Sequence, residues 1–204
     1  LASANKDELL CSQVPFYYAV EAFPLLLLKL ASKIRNENAR YLIVENIWEE
    51  HGQGTREKFH THTFNTHLTA LGFNGEHVKN PFITKWIHDL FQIDSLSDLY
   101  HELAAIEYMY AVISASIAGS LKRVGLACEQ AHYLYHSELD WSHGEDILIA
   151  MTLSDINFNK ITFKNAQLNF INLFAKMVVP TQIEIDHAKN ILPISFYHTR
   201  EAPN

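Results

Sequence analysis

Turn-forming residues are scarce in this chain, with seven glycines and six prolines in 204 residues. An all-β fold needs a turn every several residues, so this scarcity argues against one. Cysteine is nearly missing: Cys11 and Cys128 are the only two, far apart in sequence. That excludes a disulfide framework and fits the reduced thiols of a cytoplasmic protein. No basic stripe is present, and 16 Lys and Arg against 23 Asp and Glu leave a formal charge of −7. A phosphate-binding surface needs clustered cations, so no nucleic-acid partner is expected. Long unbroken apolar runs are missing too. Leu25 to Leu28 is bounded by Pro24 and Lys29 and is too short to span a bilayer, and nothing near Leu1 reads as a cleavable signal, so no membrane partner is expected.

What is present is an ordinary globular balance, 48% hydrophobic and 19% charged, enough to bury a sizeable core. The length suits one domain over 1–204, with an irregular tail from about 180. Helical periodicity dominates. A first helix is predicted from Asp7 to Ile34, with kinks at Pro15 and Pro24. A second runs from Asn38 to Glu50 and stops at Gly52-Gln53-Gly54. A third begins near Thr55 and ends at Gly72, and Pro81 opens a shorter one containing Trp86 and Phe91. Ser95 caps a long helix reaching Val124. Gly125 separates it from another over Leu126 to Met151. After a break at Asn157-Phe158-Asn159, a last long helix runs from Thr162 to Val179, with a short one expected at Ile183 to Ile191. The fold class is therefore all-α, with about seven helices around one core.

Twelve histidines stand out, and their spacing carries the chemistry. His136, Asp140 and His143 form H-x3-D-x2-H inside one predicted helix, which sets all three within about 60° on one helix face. Two imidazoles and a carboxylate suit a divalent transition metal, although an internal Asp–His pair on a polar face has the same pattern. Glu107 sits among Leu103, Ala104, Ala105, Ile106 and Ala111, where a lone carboxylate is costly to bury without a partner. It either binds a metal, faces solvent beside Tyr108, or pairs with the distant Lys122 or Arg123. Glu50 closes the second helix and His60 follows across the glycine break, so both can point at one interior site. Glu49, Glu45 and His51 compete with Glu50 for that role. Glu50, His60, Glu107, His136, Asp140 and His143 together make three histidines and three carboxylates, a set able to hold two divalent ions in a helical bundle. Their order departs from the paired Glu-x-x-His motifs of ferritin-like proteins.

The same six residues, in the same order, resemble the haem-oxygenase-like diiron oxidases and oxygenases. The likeness runs through Asn46 to Gly52, His60, Ala105 to Tyr108 and His136 to His143. Phe16-Tyr17-Tyr18 and Ala22-Phe23-Pro24 extend it into the first helix. The resemblance implies a seven-helix haem-oxygenase-like bundle without haem, and two Fe ions that bind dioxygen as a peroxo-diiron species. It implies oxidation of a small molecule such as an amino acid, amine or fatty acid, with an external electron donor and a homodimer as further expectations. The branch of the family that consumes its own tyrosine carries a lysine soon after the mid-chain Glu. Tyr108 to Leu121 holds none, which disfavours that reaction but leaves Tyr17, Tyr18, Tyr41, Tyr108 and Tyr110 as groups that could face a substrate. The small residues Ser114, Ala115, Ser116 and Ala118 either make room for a substrate or let two helices pack closely. Two other readings are a metal-free relative of the thiaminase-II and pyrroloquinoline-quinone-synthase type, and a non-enzymatic helical interaction module. The segment after Pro180 could cover the pocket or make dimer contacts.

Overall fold

The computed structural model describes residues 5–77, 80–126 and 131–178. The expected helix at Ile183 to Ile191 and the environment of Cys128 lie outside them. Helix α1 (Lys6–Gln13) starts on a reciprocal cap, in which Asn5 Oδ1 accepts from the Glu8 amide and Glu8 Oε2 from the Asn5 amide, both at 2.9 Å. Pro15 lacks the amide hydrogen an α-helix needs, and the chain passes it in a 3-10 turn, Val14–Phe16, before α2 (Tyr17–Lys33). The kink expected at Pro15 is therefore a change of helix type. Helix α2 runs on through Pro24, which is buried among its neighbours. Taken together with the 3-10 turn that joins them, α1 and α2 make the first of seven helical segments among the described residues.

Helix α3 (Glu37–Glu50) is capped by the Asn36 side chain on the Ala39 amide. It ends in a tight connection where Gly52, Gln53 and Gly54 all have positive φ. The third helix was expected from Thr55. Arg56–Lys58 is instead a 3-10 turn, and α4 spans only His60–Ala70. Asn80 caps α5 (Pro81–Gln92), with Pro81 in the first turn where no amide bond is lost. Ser95 Oγ accepts from the Asp98 amide to open α6 (Leu96–Arg123), as the sequence implied, and Lys122 and Arg123 sit favourably in its last turn. Helix α7 spans Ala131–Leu153. Asn159 then accepts from the Ile161 and Thr162 amides at the start of α8 (Lys160–Val178).

Helices α6 and α7 share the most extensive interface, flanked by α8 on α6 and by α3 on α7, while α2 bridges α3 to the rest. Tyr100, Tyr133, Phe64, Phe170, Leu27 and Leu30 are fully enclosed between them. Each such side chain contributes on the order of 1.5–3 kcal/mol by leaving water. Two stretches, Glu8–Lys33 and Leu96–Arg123, are long and apolar enough to cross a membrane by length and composition. The second has 61% of its apolar window buried in the bundle, as the core helix of a packed domain does. No strand occurs among the described residues, and the architecture is the all-α bundle expected.

Candidate metal centre

The six residues singled out by spacing arrive from four helices at one interior point. Glu50 is the last residue of α3 and His60 the first of α4. The positive-φ connection between them reverses the chain so that Glu50 Oε1 lies 2.9 Å from His60 Nδ1. Glu107 enters from the middle of α6, and His136, Asp140 and His143 from one face of α7. None of the six is more than 6% exposed. His136 Nδ1 is 2.9 Å from Asp140 Oδ1, and the His60 and His136 ring centroids are 4.5 Å apart. His143 Nδ1 stands 3.7 Å from Glu107 Oε1, too far for a hydrogen bond. Glu107, Asp140 and His143 each offer a ligand atom within 4.8 Å of the others. Glu50, His60 and His136 gather beside them.

The competition among acidic residues at the end of α3 resolves by helical phase. Glu50 points inward. Glu49, half-buried, accepts from His143 Nε2 at 2.9 Å. That bond assigns the proton of His143 to Nε2 and leaves Nδ1 as a lone-pair donor toward Glu107, the carboxylate–histidine arrangement that orients metal ligands. Glu45 is at the surface and accepts from the Tyr41 hydroxyl. His51 is tied to its own helix, with Nδ1 2.8 Å from the Ile47 carbonyl oxygen. Asn46, one turn before Glu50, donates from Nδ2 to Glu107 Oε1 at 2.9 Å. Glu107 therefore neither faces solvent nor pairs with Lys122 or Arg123.

The donor set fits a metal on two grounds. First, His60 Nδ1, His136 Nε2, Asp140 Oδ2 and His143 Nδ1 are buried without a hydrogen-bond partner. His60 Nδ1 nonetheless has a counterpart in Glu50 Oε1, 2.9 Å away. Buried polar atoms left unsatisfied cost about 1–3 kcal/mol each, so the remaining three in one place call for an occupant. Second, the charges conflict without a cation. Burial, then Asp140 and Glu50, push the Glu107 carboxyl well above its ordinary range, with only Asn46 opposing. Burial and Glu50 do the same to Asp140, against the pull of His60. Burial also raises Glu50, but the charge and hydrogen bond of His60 lead the opposing effects and hold its carboxylate low. His136 is depressed to about 3 by burial and by His60, so it stays a neutral nitrogen donor. Burial lowers His60, but Glu50 outweighs it and raises that imidazole. His136 and His143, both lowered by burial, are the neutral nitrogen donors that a divalent ion requires of its ligands.

A narrow cavity, partly open to solvent, reaches this cluster at Glu50, His60, Glu107 and His136. Tyr110 also lines it, with its ring 5.1 Å from that of His136. The other tyrosines are occupied elsewhere. Tyr17 stacks on His77, the Tyr18 hydroxyl donates to the His77 carbonyl, and Tyr108 packs against Trp141 and Phe163. The α6 wall of the cavity is Ile106, Glu107 and Tyr110. Of the small residues farther along α6, Ser114 and Ala118 are buried in helix packing, whereas Ala115 and Ser116 are exposed and do neither.

Sequence reasoning missed Asn46, Glu49 as an orienting group, and His132. His132 is buried one turn before His136, with Nδ1 3.2 Å from Thr63 Oγ1 and Nε2 3.4 Å from Tyr110 Oη. Its place four residues before His136, on the same face of α7, was a signal available in the spacing.

A helical bundle that turns three carboxylates and three histidines inward, with His136 Nε2, Asp140 Oδ2 and His143 Nδ1 unpartnered, has the donor set a metal ion would need. The chain belongs to a family of iron-containing redox enzymes, whose model matches residues 13–157. That span includes all six clustered residues and agrees with the haem-oxygenase-like resemblance. Among curated proteins, no sequence matches the chain.

Proposed function

We propose that this protein is a non-haem diiron oxidase or oxygenase that uses dioxygen to oxidise a small molecule. The observation that carries the reading is the convergence of six buried donors, among them His136 Nε2, Asp140 Oδ2 and His143 Nδ1 without hydrogen-bond partners, beside a cavity that reaches four of the six. Glu107, Asp140 and His143 would hold one iron and Glu50, His60 and His136 the other. Bound ferrous iron would supply the electrons and open coordination positions that dioxygen needs. The chain's own residues do the rest. Glu49 keeps the His143 ring in its metal-facing orientation, Asn46 holds one oxygen of Glu107, and the aromatic wall keeps bulk water from the reacting face. Placing one oxygen atom on a substrate while the other leaves as water takes two electrons besides the substrate's own, and an external donor would restore those two to the site in each turnover. The metal-free alternative would leave His136 Nε2 and Asp140 Oδ2 buried with nothing to bind.

The test is to load the apoprotein with ferrous iron under anaerobic conditions, measure metal per chain, and mix with oxygenated buffer. Close to two irons per chain and a visible absorption band that forms and decays are expected. Glu107→Ala and His136→Ala should each lose iron while keeping a helical circular dichroism spectrum. Parental iron content in either variant would refute the assignment.

A further inference from the structure

Tyr110 stands where the metal cluster meets a buried polar chain that the proposed chemistry leaves unused. It follows Glu107 by about one turn of α6, and its ring lies 5.1 Å from that of His136. Its hydroxyl is enclosed between His132 and Tyr133, both from α7. The protons around it are placed by the partners beyond. Thr63 Oγ1 donates to the His60 carbonyl oxygen at 3.1 Å, so it accepts from His132 Nδ1, 3.2 Å away. Among the described residues no carboxylate bonds to His132. Its buried ring lies beside those of His67 and His136, so it stays neutral. With its one proton on Nδ1, His132 turns the Nε2 lone pair toward Tyr110 Oη, 3.4 Å away. On the other side, Gln13 Nε2 donates to Ser12 Oγ at 2.8 Å and Gln13 Oε1 accepts from the Tyr133 hydroxyl. Tyr133 therefore also offers Tyr110 a lone pair. Tyr110 can give its proton to either neighbour and receives none from them.

That arrangement suits a phenol that loses an electron. The loss is easy only when the hydroxyl proton leaves with it, because an oxidised phenol is a far stronger acid than an imidazolium. A neutral imidazole is the acceptor this step needs. Tyr133 has only an amide oxygen to take its proton. Tyr135 also stands near the cluster, its ring 6.1 Å from His60 and 5.9 Å from His136, but it is half-exposed and no imidazole accepts from its hydroxyl among the described residues.

We infer that Tyr110 is a redox-active residue, which gives one electron to the iron centre after dioxygen has oxidised that centre and passes its hydroxyl proton to His132. The inference rests on the diiron reading for its oxidant. The Tyr110 O–H bond breaks and an N–H bond forms at His132 Nε2. The iron is reduced by one electron, and the tyrosine becomes a neutral phenoxyl. A one-electron donor of the thiol or ascorbate class then restores the electron, His132 returns the proton, and the ring stays intact. Tyr110 thus holds one electron in reserve for turnovers in which the oxidised centre meets no substrate.

The experiment mixes the ferrous-loaded protein with oxygenated buffer in the absence of substrate and freezes samples over time. Each is read by electron paramagnetic resonance, and its iron is counted. Ring-deuterated tyrosine identifies a phenoxyl signal by the loss of its ring-proton splitting. The wild type should show that signal, ascorbate should remove it, and the proteolytic peptide carrying Tyr110 should keep its parental mass. Tyr110→Phe should abolish the signal and Tyr135→Phe should keep it, each with parental iron. His132→Gln retains a hydrogen-bond acceptor but not a base, and should slow the appearance of the signal roughly 100-fold. Two irons per chain without a phenoxyl signal in the wild type would overturn this inference and leave the diiron reading standing. So would a signal that survives Tyr110→Phe, an unchanged rate in His132→Gln, or an altered mass of the Tyr110 peptide. Loss of the signal in Tyr135→Phe would overturn it whatever the folding of Tyr110→Phe. A wild type that takes up no iron would sink both readings.

Discussion

Gly52 ties the backbone to the metal centre more directly than any other glycine, and replacing it with alanine separates local strain from function. Its φ is +59°, and a Cβ there would lie 2.5 Å from the Lys58 carbonyl carbon and 2.8 Å from the Phe59 nitrogen. The left-handed conformation costs an alanine about 1–2 kcal/mol. The overlap is with backbone, so relief requires moving the Lys58–Phe59 peptide, and overpacking of that kind adds about 1–3 kcal/mol. A total near 3 kcal/mol corresponds to a Tm lowered by roughly 6–12 °C for a chain of this size. The same movement displaces His60, the next residue, from Glu50, so iron retention should fall as well. Gly125 is the control. Its φ is +82° but a Cβ there meets nothing within 4 Å, so only conformational strain remains. That strain is about 1 kcal/mol, or roughly 2–4 °C in Tm, with parental iron content. Thermal unfolding followed by circular dichroism gives the Tm values, and metal analysis after gel filtration gives the iron. Equal Tm losses in the two variants, or parental iron in Gly52→Ala, would show that the Gly52 turn does not position His60.

Other expectations follow from single contacts. Glu49→Ala removes the acceptor for His143 Nε2 and should weaken iron binding roughly 10- to 100-fold, measured by chelator competition, whereas Glu45→Ala should change it little because Glu45 bonds only to Tyr41 at the surface. Phe64 is fully enclosed, and Phe64→Ala should cost about 3–5 kcal/mol in urea unfolding; a loss below about 1 kcal/mol would mean that the core collapses into the gap. Glu102 is raised to about 7, first by burial and then by Asp98. The folded state holds that proton more tightly than the unfolded state does. Its contribution is therefore complete below the unfolded value near 4.5 and is lost as pH rises through about 7. Glu102→Gln should accordingly raise Tm at pH 8 relative to the parent by more than it does at pH 5, and the reverse order would contradict the burial of that carboxyl. Asp140→Asn removes one of three mutually repelling buried carboxylates, so the apoprotein should unfold at a higher temperature than the parent while no longer loading iron; a lower apoprotein Tm would mean that the cluster is not strained without metal.

Much of this protein is determined by local rules that operate within a few residues. The scarcity of glycine and proline, the Ser95 cap, the Asn159 break and the glycines after Glu50 set the helices and their ends, because capping and turn formation depend on neighbours in the chain. The four- and seven-residue offsets of His136, Asp140 and His143 put them on one face in any α-helix. Other outcomes needed the tertiary structure. Glu50, Glu49 and Glu45 differ only in which way the end of α3 faces once α7 packs against it, and that phase made Glu50 interior, Glu49 the partner of His143 and Glu45 a surface acceptor. Asn46 became a partner of Glu107 through a contact 61 residues away. Helix α4 waited until His60 to begin, although the sequence suggested an earlier start. The cavity, its aromatic wall and Tyr110's place in it arise where α2, α5, α6 and α8 meet, a coincidence of surfaces that no local pattern encodes. Side-chain periodicity decides which face of a helix is apolar, but only packing decides which neighbour that face meets.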